Sequence, residues 1–164
     1  MNKIEKKAIF YGKSQVGLVV LLDLLANGFG VSIMPNDEII ASAGEYLGLQ
    51  TVTLDTMGKW DLFVSCHGEK IIPMRYLQQG PAINMHDCLY KYKGQTPIQR
   101  YMDNKDTDAS IESHHMIAQV DMGPVIHQVF FETPVCTDFG QYYNLALPHY
   151  LECIEETLRK LGYK

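Results

Sequence analysis

The sequence predicts an α/β fold, an open and mostly parallel sheet that turns antiparallel toward its C-terminal part, and three observations carry that prediction. Short apolar runs that end in glycine or polar turns alternate with stretches of helical spacing, the pattern of βα units. The 164 residues, 46% of them hydrophobic, suit one domain over residues 1–164 that buries roughly 70% of its unfolded surface. The last two apolar runs are joined by Asp121-Met122-Gly123-Pro124, which is too short for a parallel crossover.

Residues 7–11 form a strand ending at Gly12, and residues 16–26 a helix that stops at Gly28 after Asn27. The turn Gly12-Lys13-Ser14-Gln15 looks like the end of a phosphate-binding loop, but Lys7 stands where that motif needs glycine. Gly12 with Gly17 also lacks the three-glycine dinucleotide fingerprint, so a nicotinamide or flavin cofactor has no support. A helix start can still hold an anionic group on its N–H groups, which makes Gly12, Lys13 and Ser14 substrate-binding candidates against a plain βα turn. Residues 31–34 read as the second strand, Asn36-Asp37 as the cap of a helix through Tyr46-Leu47, and residues 51–53 as the third strand. The fourth, residues 61–66, follows after only residues 54–60, where a crossover normally carries a helix. For a strand order 3-2-1-4 the link must cover about 20 Å, and seven extended residues reach roughly 24 Å. A bare link suffices.

Residues 74–79 read as a short helix ended by Gly80-Pro81, and the strand with Asn84 and His86 comes next. Thr96-Pro97 opens a helix through about Met102, and residues 103–106 make a polar turn. Residues 109–117 and 125–131 are strands. Thr137-Asp138 caps a final helix whose apolar positions recur at helical spacing through Leu161, with a kink expected at Pro148. No repeat, linker or low-complexity segment interrupts the chain.

The net charge of −5 and the scattered basic residues, apart from Lys91, Lys93 and Arg100, exclude a nucleic-acid surface from expectation. The longest apolar run, residues 16–26, contains Asp23 and is too short to span a bilayer. The charged start, residues 1–7, leaves too few apolar residues before Gly12 for a signal-peptide core, so a cytoplasmic protein without membrane contact is expected. Cys66, Cys88, Cys136 and Cys153 form no Cys-x-x-Cys pair, and neither a disulfide framework nor a metal site is expected.

Polar chemistry concentrates after Ala82 and Ile83. Asn84 and His86 stand two positions apart, so in a strand both face one side, and a site outside the carboxyl end of a strand is where open α/β sheets bind ligands. Asp121, in the turn between the last two strands, could reach the imidazole. Amide and imidazolium would then donate to an oxyanion while the carboxylate holds the ring and takes a proton; the bland alternative is a buried structural histidine. Of His114 and His115 at most one could join, since neighbours in a strand face opposite ways. The loop of residues 87–93 offers Tyr90, Tyr92 and Lys93 to stack on a ring and pair with phosphates, unless it is merely solvated.

Four stretches in one order carry a resemblance: Cys66-His67-Gly68-Glu69-Lys70-Ile71-Ile72-Pro73, Ile83-Asn84-Met85-His86, Tyr92-Lys93-Gly94-Gln95-Thr96-Pro97-Ile98-Gln99-Arg100, and Gln119-Val120-Asp121-Met122-Gly123-Pro124-Val125-Ile126. Together they resemble the folate-dependent formyltransferase family over residues 61–128, with a weaker fit of the first strand and helix. The resemblance implies a Rossmann-like formyltransferase fold, 10-formyltetrahydrofolate as co-substrate, and Asn84, His86 and Asp121 as catalytic residues. It also implies a pterin pocket lined by Lys70, Ile71 and Ile72 and by the turn with Gln119 and Val120. Where relatives read His-Pro-Ser-Leu-Leu-Pro, this chain reads His86-Asp87-Cys88-Leu89-Tyr90-Lys91, in a loop one residue shorter. A second domain after Lys164 is not expected. The expected partner is a small-molecule amine, with a nucleotide-linked amino sugar ahead of glycinamide ribonucleotide and tRNA, and a homodimer is an allowed assembly. A formyl-folate hydrolase and a non-catalytic folate- or nucleotide-binding module are the rival readings.

Overall fold

The computed structural model describes residues 6–164, so most of the charged start lies outside the described residues. The chain forms two compact units, Met1–Asn84 and Met85–Lys164.

The first unit contains β1 (Lys7–Gly12), α1 (Ser14–Ala26), β2 (Gly30–Pro35), α2 (Glu38–Leu47), β3 (Gln50–Thr51) and β4 (Leu62–Cys66). β1 pairs in parallel with β2 on one side and β4 on the other, and Phe10 lies between Ile33 and Val64. A strand flanked in this way is covered on both faces, which is why β1 and β4 are near-continuous apolar runs with buried side chains. Gly12 is required where β1 ends, because a Cβ there would lie 2.2 Å from the Cys66 carbonyl oxygen. Asp37 caps α2, accepting from the Ile40 N–H at 3.0 Å, and Gly48 ends the helix in the left-handed conformation. No helix forms between β3 and β4. The bare link is held by Thr53 N–H donating to Thr56 Oγ1 at 2.8 Å and Asp61 N–H to the Lys7 carbonyl at 2.8 Å, with Met57 and Trp60 buried beneath it.

One element differs from expectation. Residues 74–79 do not make a helix beyond the single 3-10 turn Met74–Tyr76, closed by Tyr76 N–H to the Pro73 carbonyl and Leu77 N–H to the Met74 carbonyl. A segment bounded by Pro73 and Gly80-Pro81 is too short to repay the cost of nucleating an α-helix.

β5 (Ala82–Asp87) leads into the second unit, which continues with α3 (Pro97–Asp103), β6 (Asp108–His115), β7 (Val125–Glu132) and α4 (Phe139–Lys160). β6 and β7 are antiparallel, with Ile111 opposite Val129 and a shift of register between Ser113 and His114. The sheet order is β3-β2-β1-β4-β5-β6-β7. It is the mostly parallel sheet with an antiparallel C-terminal part. α4 starts at Asp138, whose side chain accepts from the Gln141 N–H at 2.9 Å, and runs as one helix with Pro148 inside it. It packs on β6 and β7, burying Tyr142, Ala146, Tyr150, Cys153, Ile154 and Leu158. No helix among the described residues is long and apolar enough to cross a membrane.

Candidate functional site

β5 begins with buried Ala82 and Ile83 and ends with buried His86 and Asp87. Asn84, two residues before His86, is half-buried, and strand alternation turns the two side chains to one side.

His86 is only 7% exposed. Its Nδ1 lies 2.7 Å from the Asp87 carbonyl oxygen, and its Nε2 lies 3.1 Å from Asp121 Oδ2 and 3.2 Å from the Gly94 carbonyl oxygen. A carbonyl has no proton to give, so Nδ1 must carry one. Nε2 faces only acceptors and must carry one too. The ring is therefore held as imidazolium against an ionised Asp121. Burial, the largest single influence on His86, pulls its pKa down. The hydrogen bond and charge of Asp121, joined by the charge and carbonyl of Asp87, outweigh it and hold the pKa above 6.5.

Asp121 reaches the ring through an unusual backbone. Its φ of 56° is left-handed, a conformation aspartate tolerates better than most residues, in a tight turn where the Met122 N–H reaches the Gln119 carbonyl. Gly123 follows because a Cβ there would fall 1.7 Å from the His115 carbonyl oxygen. Besides His86, the carboxylate accepts from the Gly94 N–H at 2.8 Å and faces His114 Nε2 at 3.5 Å. Burial alone would raise its pKa, but hydrogen bonds from His114 and His86, the His86 charge and the Gly94 N–H hold it well below the usual carboxylate range.

Two of these participants were not assigned from sequence. His114 was one of an adjacent pair, and the register shift at Ser113/His114 falls where it turns toward the carboxylate. Gly94 was legible only as part of a motif, yet its N–H meets Asp121 and its carbonyl meets His86.

The other candidates are placed as follows. The Tyr11 hydroxyl accepts from the Lys70 N–H at 2.8 Å, Ile71 is exposed, and Ile72 is buried. Gln119 and Val120 are exposed on the turn before Asp121. Gly12 ends β1, Lys13 pairs with Glu69 at 3.1 Å, and the Ser14 N–H donates to Asp37 Oδ2 at 2.6 Å. The start of α1 therefore already has an anion on it. In the loop after β5, the Tyr90 hydroxyl donates to Asp108 at 2.8 Å and the Tyr92 hydroxyl to Asp106 at 2.5 Å, while Lys91 pairs with Asp108 at 2.8 Å. Arg100 pins the same loop by donating to the Lys93 and Gln95 carbonyls. The Lys93 ammonium lies 3.4 Å from Met122 Sδ. Glu112, fully buried, accepts from the Leu89 N–H, Ser110 Oγ and Gln128 Nε2 and so fixes the start of the loop. No metal-binding cluster is present among the described residues.

No protein-family model matches the chain. Methionyl-tRNA formyltransferase of Thermotoga maritima is 26% identical over 131 residues, which are 79% of this chain and 34% of that protein. The chain thus spans about a third of that relative's length. Among solved structures, an N-formyltransferase from Helicobacter canadensis, in complex with folinic acid and dTDP-3-aminofucose, superposes with a TM-score of 0.81 at 20% identity, over 97% of this chain and 64% of that one. Phosphoribosylglycinamide formyltransferase from Streptococcus pneumoniae superposes with a TM-score of 0.75 at 15% identity, over 97% of this chain and 99% of that one. A formyltetrahydrofolate deformylase from Pseudomonas syringae gives 0.73 at 15% identity, over 96% and 61%. The fold is the Rossmann-like fold of formyltransferases. In sequence the chain is similar to methionyl-tRNA formyltransferase, and in fold to formyltransferases.

Proposed function

We propose that the chain transfers a formyl group from 10-formyltetrahydrofolate to the primary amine of a small acceptor, within a single catalytic domain. The observation that carries this reading is the His86 imidazolium held against a buried, ionised Asp121. An acid and a base side by side are what attack by an amine on a formyl carbon requires. The residues fit such a substrate by their chemistry: Asn84 and His86 can donate to a formyl oxygen, and Asp121 can accept from an amine. The folate supplies the activated formyl carbon. Asn84 donates its amide N–H to the oxygen on which charge develops, and His86 donates Nε2–H to the same oxygen. Each such donor contributes about 3 kcal/mol to barrier reduction. Because Nε2–H now faces both Asp121 and the Gly94 carbonyl, donation to substrate lengthens one of these contacts. Asp121 keeps the ring charged and relays the proton that leaves the amine toward the folate N10, whose bond to the formyl carbon breaks as the new amide forms. Lys70, Ile71, Ile72, Gln119 and Val120 would line the pterin side. Tyr90, Tyr92 and Lys93 would meet the acceptor, and Gly12, Lys13 and Ser14 would hold an anionic group of it only by displacing Asp37.

A nucleotide-linked amino sugar is the proposed acceptor. The fold likeness to an N-formyltransferase solved with such a sugar favours it, and the net charge of −5 disfavours tRNA. Hydrolysis, with water replacing the amine, is the second reading, favoured by the likeness to a deformylase. The test is a labelled formyl-folate assay with a panel of amino sugars, glycinamide ribonucleotide, charged initiator tRNA and no acceptor. Label in a nucleotide-linked amino sugar, reduced roughly 100-fold in His86→Ala and in Asn84→Ala with folate binding little changed, is the expected result. Label only in tRNA would refute the acceptor, release of formate without acceptor would establish the hydrolase, and folate binding without turnover would leave a binding module.

A further inference from the structure

Asp87 occupies the position after His86, is 1% exposed, and has no part in the chemistry described above. As the last residue of β5 its side chain points opposite to that of His86. There its carboxylate accepts from the Tyr142 hydroxyl at 2.9 Å and from the Tyr150 hydroxyl at 2.6 Å, both on α4. Its carbonyl oxygen meanwhile receives the His86 Nδ1 proton at 2.7 Å. One residue thus grips α4 with its side chain and the imidazole with its main chain.

We propose that Asp87 is a positioning residue for His86: its carboxylate, clamped by Tyr142 and Tyr150, fixes the peptide that holds the ring and supplies a second negative charge behind it. The inference rests on the formyl-transfer reading for the role of His86, but its geometry does not. The strand ends immediately afterward at Cys88, which has a left-handed φ of 50° and donates its N–H to the Ser110 carbonyl at 2.8 Å. The peptide after Asp87 is therefore held from both sides. Rotation of that peptide would remove the Nδ1 acceptor and free the ring to turn.

Charge makes the stronger case for a function beyond packing. A buried carboxylate is costly to desolvate, and hydrogen bonds from neutral hydroxyls offset that only in part. An amide or an apolar side chain could fill the same space without that cost. The Tyr142 hydroxyl remains a proton donor, since burial and Asp87 hold its pKa well above 10. The Cys88 thiol beside it is pushed up to about 12, chiefly by burial, and stays neutral. Around His86 the titratable groups are Asp121 on the β6–β7 turn, His114 on β6 and Asp87 on its own strand. Glu112 of β6 lies beyond, beneath Leu89. A carboxylate at 87 keeps the ring cationic when the Asp121 contact lengthens during turnover.

The test is the titration of His86 followed by NMR, assigned with His86→Gln, together with kcat and folate KM against pH. In Asp87→Asn the His86 midpoint should fall by about one pH unit, equivalent to roughly tenfold in proton affinity, and kcat near neutral pH should fall with folate KM unchanged. In Tyr150→Phe the charge stays but its clamp is weakened, so the midpoint should remain high while kcat falls severalfold. This second variant carries the test if Asp87→Asn does not fold: a Tyr150→Phe protein with the parental kcat would then overturn the proposal. Folded Asp87→Asn with the parental His86 midpoint and kcat would also overturn it. A parent protein without formyl transfer would refute the proposed function, while the His86 midpoint would still read the contact with Asp87.

Discussion

Asp121→Asn is the perturbation whose consequences follow most directly from the geometry. The carboxylate meets three donors, His86 Nε2 at 3.1 Å, the Gly94 N–H at 2.8 Å and His114 Nε2 at 3.5 Å, and both His86 and Asp121 are under a tenth exposed. Removing one partner of a buried ion pair costs about 3 to 5 kcal/mol when the other charge is left behind. Asparagine keeps one oxygen that can still take the Gly94 N–H, so the lower figure, about 3 kcal/mol, is expected. His86 can escape only by losing a proton. A neutral ring then points a lone pair at the Asp87 or Gly94 carbonyl. The cost depends on pH with a definite sign. His86 has its pKa raised on folding, so its contribution is complete below 6.5 and is lost as pH rises through the raised value. Asp121 has its pKa lowered, so its contribution is complete above 3.8 and is lost as pH falls through the lowered value. Urea unfolding should therefore show the full loss between those two pH values and a smaller loss in alkali. Turnover should fall by about 100-fold or more, because the ring no longer stays charged and the leaving proton has no base. A variant as stable as the parent at pH 6, with an unchanged His86 titration, would refute the reasoning.

Two further outcomes follow from the same contacts. The stability of the parent protein should decline as pH rises above 6.5, and this slope should be smaller in His86→Gln; equal slopes in urea titrations would remove His86 as its source. Gly123→Ala should destabilise the protein by about 3 kcal/mol, at the upper end of overpacking costs, since the added Cβ meets backbone rather than a yielding side chain. It should also weaken the His86–Asp121 contact, and a thermal melt identical to the parent's would count against the tight turn.

Much of the first unit was legible because its signals are local. Asn36-Asp37 announced the cap of α2, Tyr46-Leu47 its last turn, and the shortness of residues 54–60 the missing crossover helix. The short helix expected over residues 74–79 failed because helical composition does not measure the cost of nucleation between prolines. In the second unit, the strand alternation that puts Asn84 and His86 on one side was readable. So was the antiparallel ending, since Asp121-Met122-Gly123-Pro124 leaves no room for a crossover. The surroundings of His86 were less so. Asp87 finds its tyrosines on α4, far along the chain, and no periodicity reports a hydroxyl aimed at a buried acid. His114 could not be told from His115, because a strand without a bulge would allow either. The ties of Tyr90, Lys91 and Tyr92 to Asp106 and Asp108 depend on how the loop folds back, which its composition does not specify.

Asp37 offers a last consequence, one concerning motion. Its Oδ1 holds the Ile40 N–H in the first turn of α2, while its Oδ2 holds the Ser14 N–H where α1 begins. A single rotation of this side chain releases both amides together. In hydrogen–deuterium exchange the Ser14 and Ile40 protons should accordingly open as one event, giving two helices a common hinge although nearly the whole of α1 and β2 lies between the two amides in sequence.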